Sequence, residues 1–287
     1  MALGFYTDTS VCIGCKACQV ACHQWNELPA VEGGARTLSG ESYDNTLALD
    51  ALNWRHVKFI ERIDEERNEK AWLMMSDVCK HCRHAPCEQV CPTHAIIRTE
   101  FDTVVIQPDI CNGCRDCLAA CPFGVIGMDE ELGIARKCTL CYDRMQNGLE
   151  PACSQACPTD SIQFGDVDEM RERARRRVAE LQAQGHAKAQ LYGDTPDILN
   201  GLNSFYLLLD DPEVYGLPPS VGPSRPIEPP ATVGPGSLWT GLTAAIALLG
   251  AVFSFRDRGR DGSADRGRGG STPTTHDRPS RAPDGPR

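Results

Sequence analysis

The chain has 287 residues, 41% of them hydrophobic, which allows one or two domains with an ordinary core. A net charge of −10 argues against nucleic acid as a partner. The N-terminal MALGFYTDTSVC has neither the basic nor the apolar region of a secretory signal. The chain is therefore expected to begin in a reducing compartment, where its 16 cysteines point to metal rather than to a disulfide scaffold.

In chain order the cysteines fall into four sets of four, with none left over. The first set is CIGCKACQVAC, with Cys12, Cys15, Cys18 and Cys22. Next comes a hairpin candidate, WRHVKFIERI (54–63) against KAWLMM (70–75) across the polar DEERNE, whose alternation predicts one buried face. The second set, CKHCRHAPCEQVCP, holds Cys79, Cys82, Cys87 and Cys91. His81, His84 and His94 lie beside it and are expected to pack or hydrogen-bond, because every set already offers four thiols. AIIRTEFDTVVIQPD then reads as a strand, a turn at Glu100–Asp102, and a strand through Val104–Ile106. The third set, CNGCRDCLAACP, holds Cys111, Cys114, Cys117 and Cys121, and GVIGMDEELGIARKC after it is another strand–turn–strand. The fourth set supplies Cys138, Cys141, Cys153 and Cys157. Arg136, Lys137 and Arg144 flank it, either tuning a reduction potential or solvating a surface. SIQFGD (161–166) reads as a closing strand. The helix expected over 166–184 has Asp166 as N-cap, Glu169 completing a capping box, and five arginines on a solvated or docking face.

The third set spells C-x2-C-x2-C-x3-C-P, the bacterial ferredoxin run. Three thiolates on a tight loop suit three corners of a cubane, whereas a zinc site usually separates two C-x2-C pairs by a longer loop. Pro92, Pro122 and Pro158 each follow a fourth cysteine and fix the backbone there; the first set has His23 instead. In two-cluster ferredoxins the fourth cysteine ligates the other cluster, so the sets must pair. The second and third are near in sequence and pair naturally, leaving the first with the fourth, although spacing alone does not exclude other pairings. The expected ligand sets are Cys12, Cys15, Cys18 and Cys157; Cys22, Cys138, Cys141 and Cys153; Cys79, Cys82, Cys87 and Cys121; and Cys91, Cys111, Cys114 and Cys117. The expected fold is α+β, two nested ferredoxin-like dicluster modules over residues 1–215.

Residues 216–236 carry seven prolines and read as a stiff linker. The uncharged LWTGLTAAIALLGAVFSF that follows predicts a transmembrane helix over 237–255, and 256–287 lacks the apolar residues for a core and should be disordered. Arg256, Arg258, Arg260, Arg266 and Arg268 after the helix place the tail in the cytoplasm and the cysteine domain outside. Export would then depend on a partner that bears a signal. No phosphate loop, nucleophile elbow or HExxH helix is present, so no substrate-converting role is expected of the chain alone.

Four such sets in this order resemble the iron–sulfur (beta) subunits of the molybdopterin oxidoreductase family. GFYTDTSVCIGCKACQVACHQWN, SYDNT (42–46), WRHVKFIE (54–61) and RKCTLCYDR (136–144) resemble the beta subunits of membrane-bound formate dehydrogenases in particular, over roughly residues 4–215. The resemblance implies four 4Fe–4S clusters forming a wire. One end would face a molybdenum or tungsten catalytic (alpha) subunit, and the other an integral membrane subunit of cytochrome b or quinone-binding type. Some relatives, such as nitrate reductase beta subunits, lack one cysteine of the third set and hold a three-iron cluster; here Cys117 is present. Two alternatives are a sister subunit serving a sulfoxide, polysulfide or nitrite reductase, and a zinc-stabilised interaction module.

Overall fold

LGFYTD forms strand β1 (Leu3–Asp8), buried from Gly4 onward. A computed structural model describes residues 1–29, 43–44, 46, 48–64 and 69–222, all in the first of the chain's two units, Met1–Glu228. Helix α1 (Ala17–Trp25) is followed by the hairpin of β2 (Arg55–Asp64) and β3 (Glu69–Val78). Then come α2 (Pro86–Gln89), the hairpin β4 (Ile96–Arg98) and β5 (Val104–Ile106), α3 (Asp116–Ala120), and the hairpin β6 (Gly127–Asp129) and β7 (Ile134–Arg136). The chain continues through α4 (Tyr142–Gln146), α5 (Ala152–Gln155), β8 (Ile162–Asp166), α6 (Val167–Ala183), β9 (Gln190–Tyr192) and β10 (Ser204–Leu208). This is a mixed α+β fold.

The main sheet has the order β8-β1-β10-β9, with β1 antiparallel to β8 and parallel to β10. Pairing of β1 with β8 brings the first and last cysteine sets side by side, and α1 packs on α5 in the same region. Phe5 faces Phe164 edge-on at 6.1 Å, and Tyr6 stacks on Phe205 at 5.6 Å. Strand β10 is buried along its whole length, so SFYLL has no alternation to announce it. Gly4 is obligatory for this sheet: a Cβ there would lie 1.9 Å from the Asn203 carbonyl oxygen.

Helix α6 covers the sheet with Val167, Met170, Ala174 and Leu181. The Asp166 carboxylate accepts from the Asp168 and Glu169 amides as expected of an N-cap. No hydrogen bond from the Glu169 side chain completes the box among the described residues. The arginine face is only partly solvated. Arg171 is buried against Phe205 and bonded to Asp168 at 3.0 Å, Arg177 reaches Asp8 at 3.2 Å and Arg173 donates to Gln163 of β8 at 2.8 Å, so three of the five arginines fasten the helix to the sheet.

The long hairpin pairs Arg55 with Val78 through Asp64 with Glu69. Its burial departs from the alternation expected of it. Arg55, His56 and Val57 are all buried, as are Met75 through Val78, while Glu61, Arg62, Ala71 and Trp72 farther out are exposed. The base of the hairpin is enclosed on both faces, so depth along the strand decides burial rather than side-chain parity. Asp77 sits in this base. Its carboxylate accepts from Lys80, from the Val78 amide at 2.9 Å and from the Tyr206 hydroxyl at 3.2 Å, and it pairs with Lys58 at 3.0 Å.

Among the described residues no helix is long and apolar enough to cross a membrane. The transmembrane helix expected over 237–255, most of the linker and the tail lie outside the described residues.

Four groups of thiols as candidate metal centres

The cysteine loops share one backbone device. The residue before the second cysteine of each set has a left-handed conformation: Gly14 (φ 65), His81 (φ 43), Gly113 (φ 70) and Leu140 (φ 58). So does the third residue after Cys91, Cys121 and Cys157: His94 (φ 54), Gly124 (φ 60) and Asp160 (φ 51). Left-handed residues in such turns aim successive N–H groups into a concavity and make an anion-binding nest. Backbone amides bond directly to sulfur, among them Leu140 to Cys138 Sγ at 3.3 Å and Ala135 to Cys111 Sγ at 3.4 Å. After Cys22 no proline intervenes, and His23 lets α1 run on to Trp25; proline inside a helix would lose a backbone bond and clash.

Three groups of thiols border cavities. Cys12, Cys15, Cys18 and Cys157 line one with Gly14, Val57, Ser76 and Ile162. Cys91, Cys111, Cys114 and Cys117 line another with Ile96, Ile106 and Ala135. Cys79, Cys82, Cys87 and Cys121 line a third with His81, Phe123, Val125 and Ile126. The thiol of Cys22 lies within electrostatic reach of Cys138, Cys153 and Cys141, which forms the fourth group. Every group therefore combines three cysteines of one set with the fourth of another.

Burial dominates the thiol chemistry, and neighbouring thiols add to it. Cys117 and Cys141 are pushed up to about 11, Cys87 to about 12, and Cys22 and Cys82 well above the ordinary thiol value. Crowded thiols of this kind stay protonated until a cation replaces their protons, as in metal binding to cysteine sites. Among the described residues no three donors converge closely enough for a single ion. Soft sulfur donors spaced around a cavity, with amides aimed at them, fit a cluster in place of one tetrahedral ion.

The polar neighbours sort themselves by partner. His81 is fully buried; its Nδ1 accepts from the Val104 amide at 3.1 Å, and burial holds its pKa well below the usual range. His84 contacts Gln89 at 2.6 Å and His94 occupies a turn, so all three histidines serve the scaffold. Arg136 pairs with Asp129 at 2.8 Å and lies over Trp54, and Arg144 lies 4.2 Å from the Trp25 ring. Lys137 is buried, not surface-solvating. It donates to the Val104 and Cys138 carbonyls and lies among Cys79, Cys87 and Cys138. Arg55, which no motif singled out, is buried among Cys153, Cys18 and Cys138. In sequence it stands only as one residue of the hairpin phrase WRHVKFIE (54–61).

Two 4Fe–4S dicluster domain families match the chain, over residues 11–95 and 70–167. The chain is 39% identical over 254 residues to the iron–sulfur subunit of the nitrate-inducible formate dehydrogenase of Escherichia coli K12, covering 86% of this chain and 80% of that protein. It is 43% identical over 215 residues to the formate dehydrogenase iron–sulfur subunit of Haemophilus influenzae, covering 74% and 67% respectively. A subunit of the anaerobic dimethyl sulfoxide reductase of Escherichia coli K12 is 31% identical over 176 residues, 59% of this chain and 76% of that one.

Proposed function

We propose, for a chain that belongs to the iron–sulfur, electron-transfer subunits of formate dehydrogenase, that it carries electrons through four 4Fe–4S clusters from a molybdenum- or tungsten-dependent catalytic subunit to a membrane quinone-reducing subunit. The supporting observation is that all 16 cysteines fall into four groups of four in one unit, each group crossing between two sets. When bound, a cubane accepts and releases one electron at a potential set by net charge, hydrogen bonds to sulfur and exposure.

The protein's part is to hold and order the sites. Cys18 lies within reach of Cys153, Cys138 of Cys79, and Cys87 of Cys117. The groups thus follow one another in a line: the Cys12 group, the Cys138 group, the Cys79 group and the Cys111 group. Cys15 and Cys114 are the exposed cysteines, and they belong to the two end groups. That is the arrangement a conductor needs, with contact for partners at the ends and insulation between them. Ile13 and Ile110 are exposed beside the two end loops and offer apolar surface for docking.

The nested pair of dicluster modules, the single-pass anchor at 237–255 and the outward-facing cysteine domain belong to the same reading. Carbonate washing should leave the full chain in the membrane pellet; release of the intact chain by carbonate refutes the anchor. The decisive assay for function uses the anaerobically purified complex of this chain with its partners. Formate should reduce a membrane quinone. A complex inert to formate that instead consumes a sulfoxide or sulfur compound establishes the reductase reading, which the 31% identity to the dimethyl sulfoxide reductase subunit keeps in view.

A further inference from the structure

Arg55 is among the largest fully buried side chains, 1% exposed, and no carboxylate pairs with it among the described residues. Its Nη1 donates to Ser76 Oγ at 2.9 Å, and its guanidinium lies 4.8 Å from the Phe5 ring. Nε and Nη2 meet no oxygen or nitrogen acceptor among the described residues, and the neighbour the guanidinium can donate to there is the Cys153 thiol. Ser76 Oγ is in turn 3.2 Å from Cys18 Sγ, while Cys153 and Cys138 act on the same guanidinium from the neighbouring group. Arg55 therefore stands where the first and second thiol groups meet.

A buried guanidinium with two donors turned toward thiol sulfur and no carboxylate among the described residues is costly unless it meets an anion. Lys80 shows the ordinary solution in the same core: its charge meets Asp77. Arg55 has no such partner among the described residues. A cubane held by four thiolates is itself anionic and gains one further negative charge on reduction, so it supplies the missing counter-ion. This step rests on the cluster reading above. We propose that Arg55 is a positioning residue of the electron path, a fixed positive charge shared by the first and second clusters that favours the reduced form of both. In a low-dielectric interior such a charge acts most strongly on its immediate neighbours, and the thiols among them, Cys153, Cys18 and Cys138, belong to the first and second groups. Guanidinium suits the place because it stays charged and can donate in two directions at once.

The test compares Arg55→Gln and Arg55→Lys in the anaerobically purified full-length protein, by iron analysis and by redox titration followed by EPR. In Arg55→Gln, two of the four clusters should be harder to reduce. Their reduced-to-oxidised ratio at fixed potential should fall about tenfold or more, about 59 mV per tenfold for a one-electron couple. The other two should not move, and Arg55→Lys should stay near the wild type. Full iron with no shift, or an equal shift in all four clusters, overturns the proposal. If Arg55→Gln loses iron, Arg55→Lys decides. Retained iron with native potentials supports a role for charge, and loss in both variants assigns Arg55 to packing and overturns it. A wild-type protein without iron overturns the cluster reading itself, which keeps the two failures distinct.

Discussion

A Cys138→Ala protein should carry no electrons from formate to quinone, although the catalytic subunit beside it still reduces an artificial dye. Cys138 is buried, accepts an amide bond from Leu140 and lies within reach of Cys22, Cys153 and Cys141 of its own group and of Cys79 of the next. Its group is internal to a line of four, so no exposed thiol offers a way around it. The variant should retain about 12 iron atoms, four for each remaining set of thiolates. Measuring dye reduction and quinone reduction on one preparation separates loss of the path from loss of the enzyme. Quinone reduction at the normal rate in Cys138→Ala shows that the path lies elsewhere.

Replacing Asp77 with alanine should destabilise the fold by about 3–5 kcal/mol, because breaking a buried ion pair leaves an uncompensated charge. Lys80 is 1% exposed and its ammonium meets the Asp77 carboxylate, with Lys58 on the other oxygen and Tyr206 donating to the shared one. Burial pushes the Asp77 pKa up, but Lys80 and Lys58 outweigh it and hold the group well below the usual carboxylate range. A depressed folded-state value contributes stability above the unfolded pKa of about 3.9, and that contribution is lost as pH falls through the folded value. Anaerobic guanidinium unfolding should therefore show a lower midpoint for Asp77→Ala at pH 7, with the difference from wild type shrinking in strong acid. Equal midpoints at pH 7 would refute the role given to this pair.

Much of the site could be read directly from residues. The four cysteine sets carry their own spacing, and the hairpins at Arg55–Val78, Ile96–Ile106 and Gly127–Arg136 declare themselves by apolar runs broken by polar turns. Gly14 and Gly113 mark left-handed turns by composition. His81 and Leu140 adopt the same conformation with no such mark, because loop closure around the thiols overrides their preference. Of the main sheet only β8 was legible, as SIQFGD, and the rest was hidden for a different reason. Strands β1 and β10 pair across some two hundred residues, and β10 is buried on both faces, so neither periodicity nor proximity reveals it. In sequence Lys137 reads equally as a tuning or a solvating charge, Arg171 as part of a solvated or docking face, and Arg55 only as one residue of a strand, since arginine and lysine are rarely buried without a partner. Only the fold shows that two of these sit against thiols and the third fastens a helix.

Iron analysis with EPR spin counting on the dithionite-reduced, anaerobically purified protein tests the central claim most directly. Four groups of four thiolates predict about 16 iron atoms per polypeptide, with a brown colour bleached on reduction and reducible centres in all four groups. A value near eight, or a colourless protein carrying zinc, would contradict it.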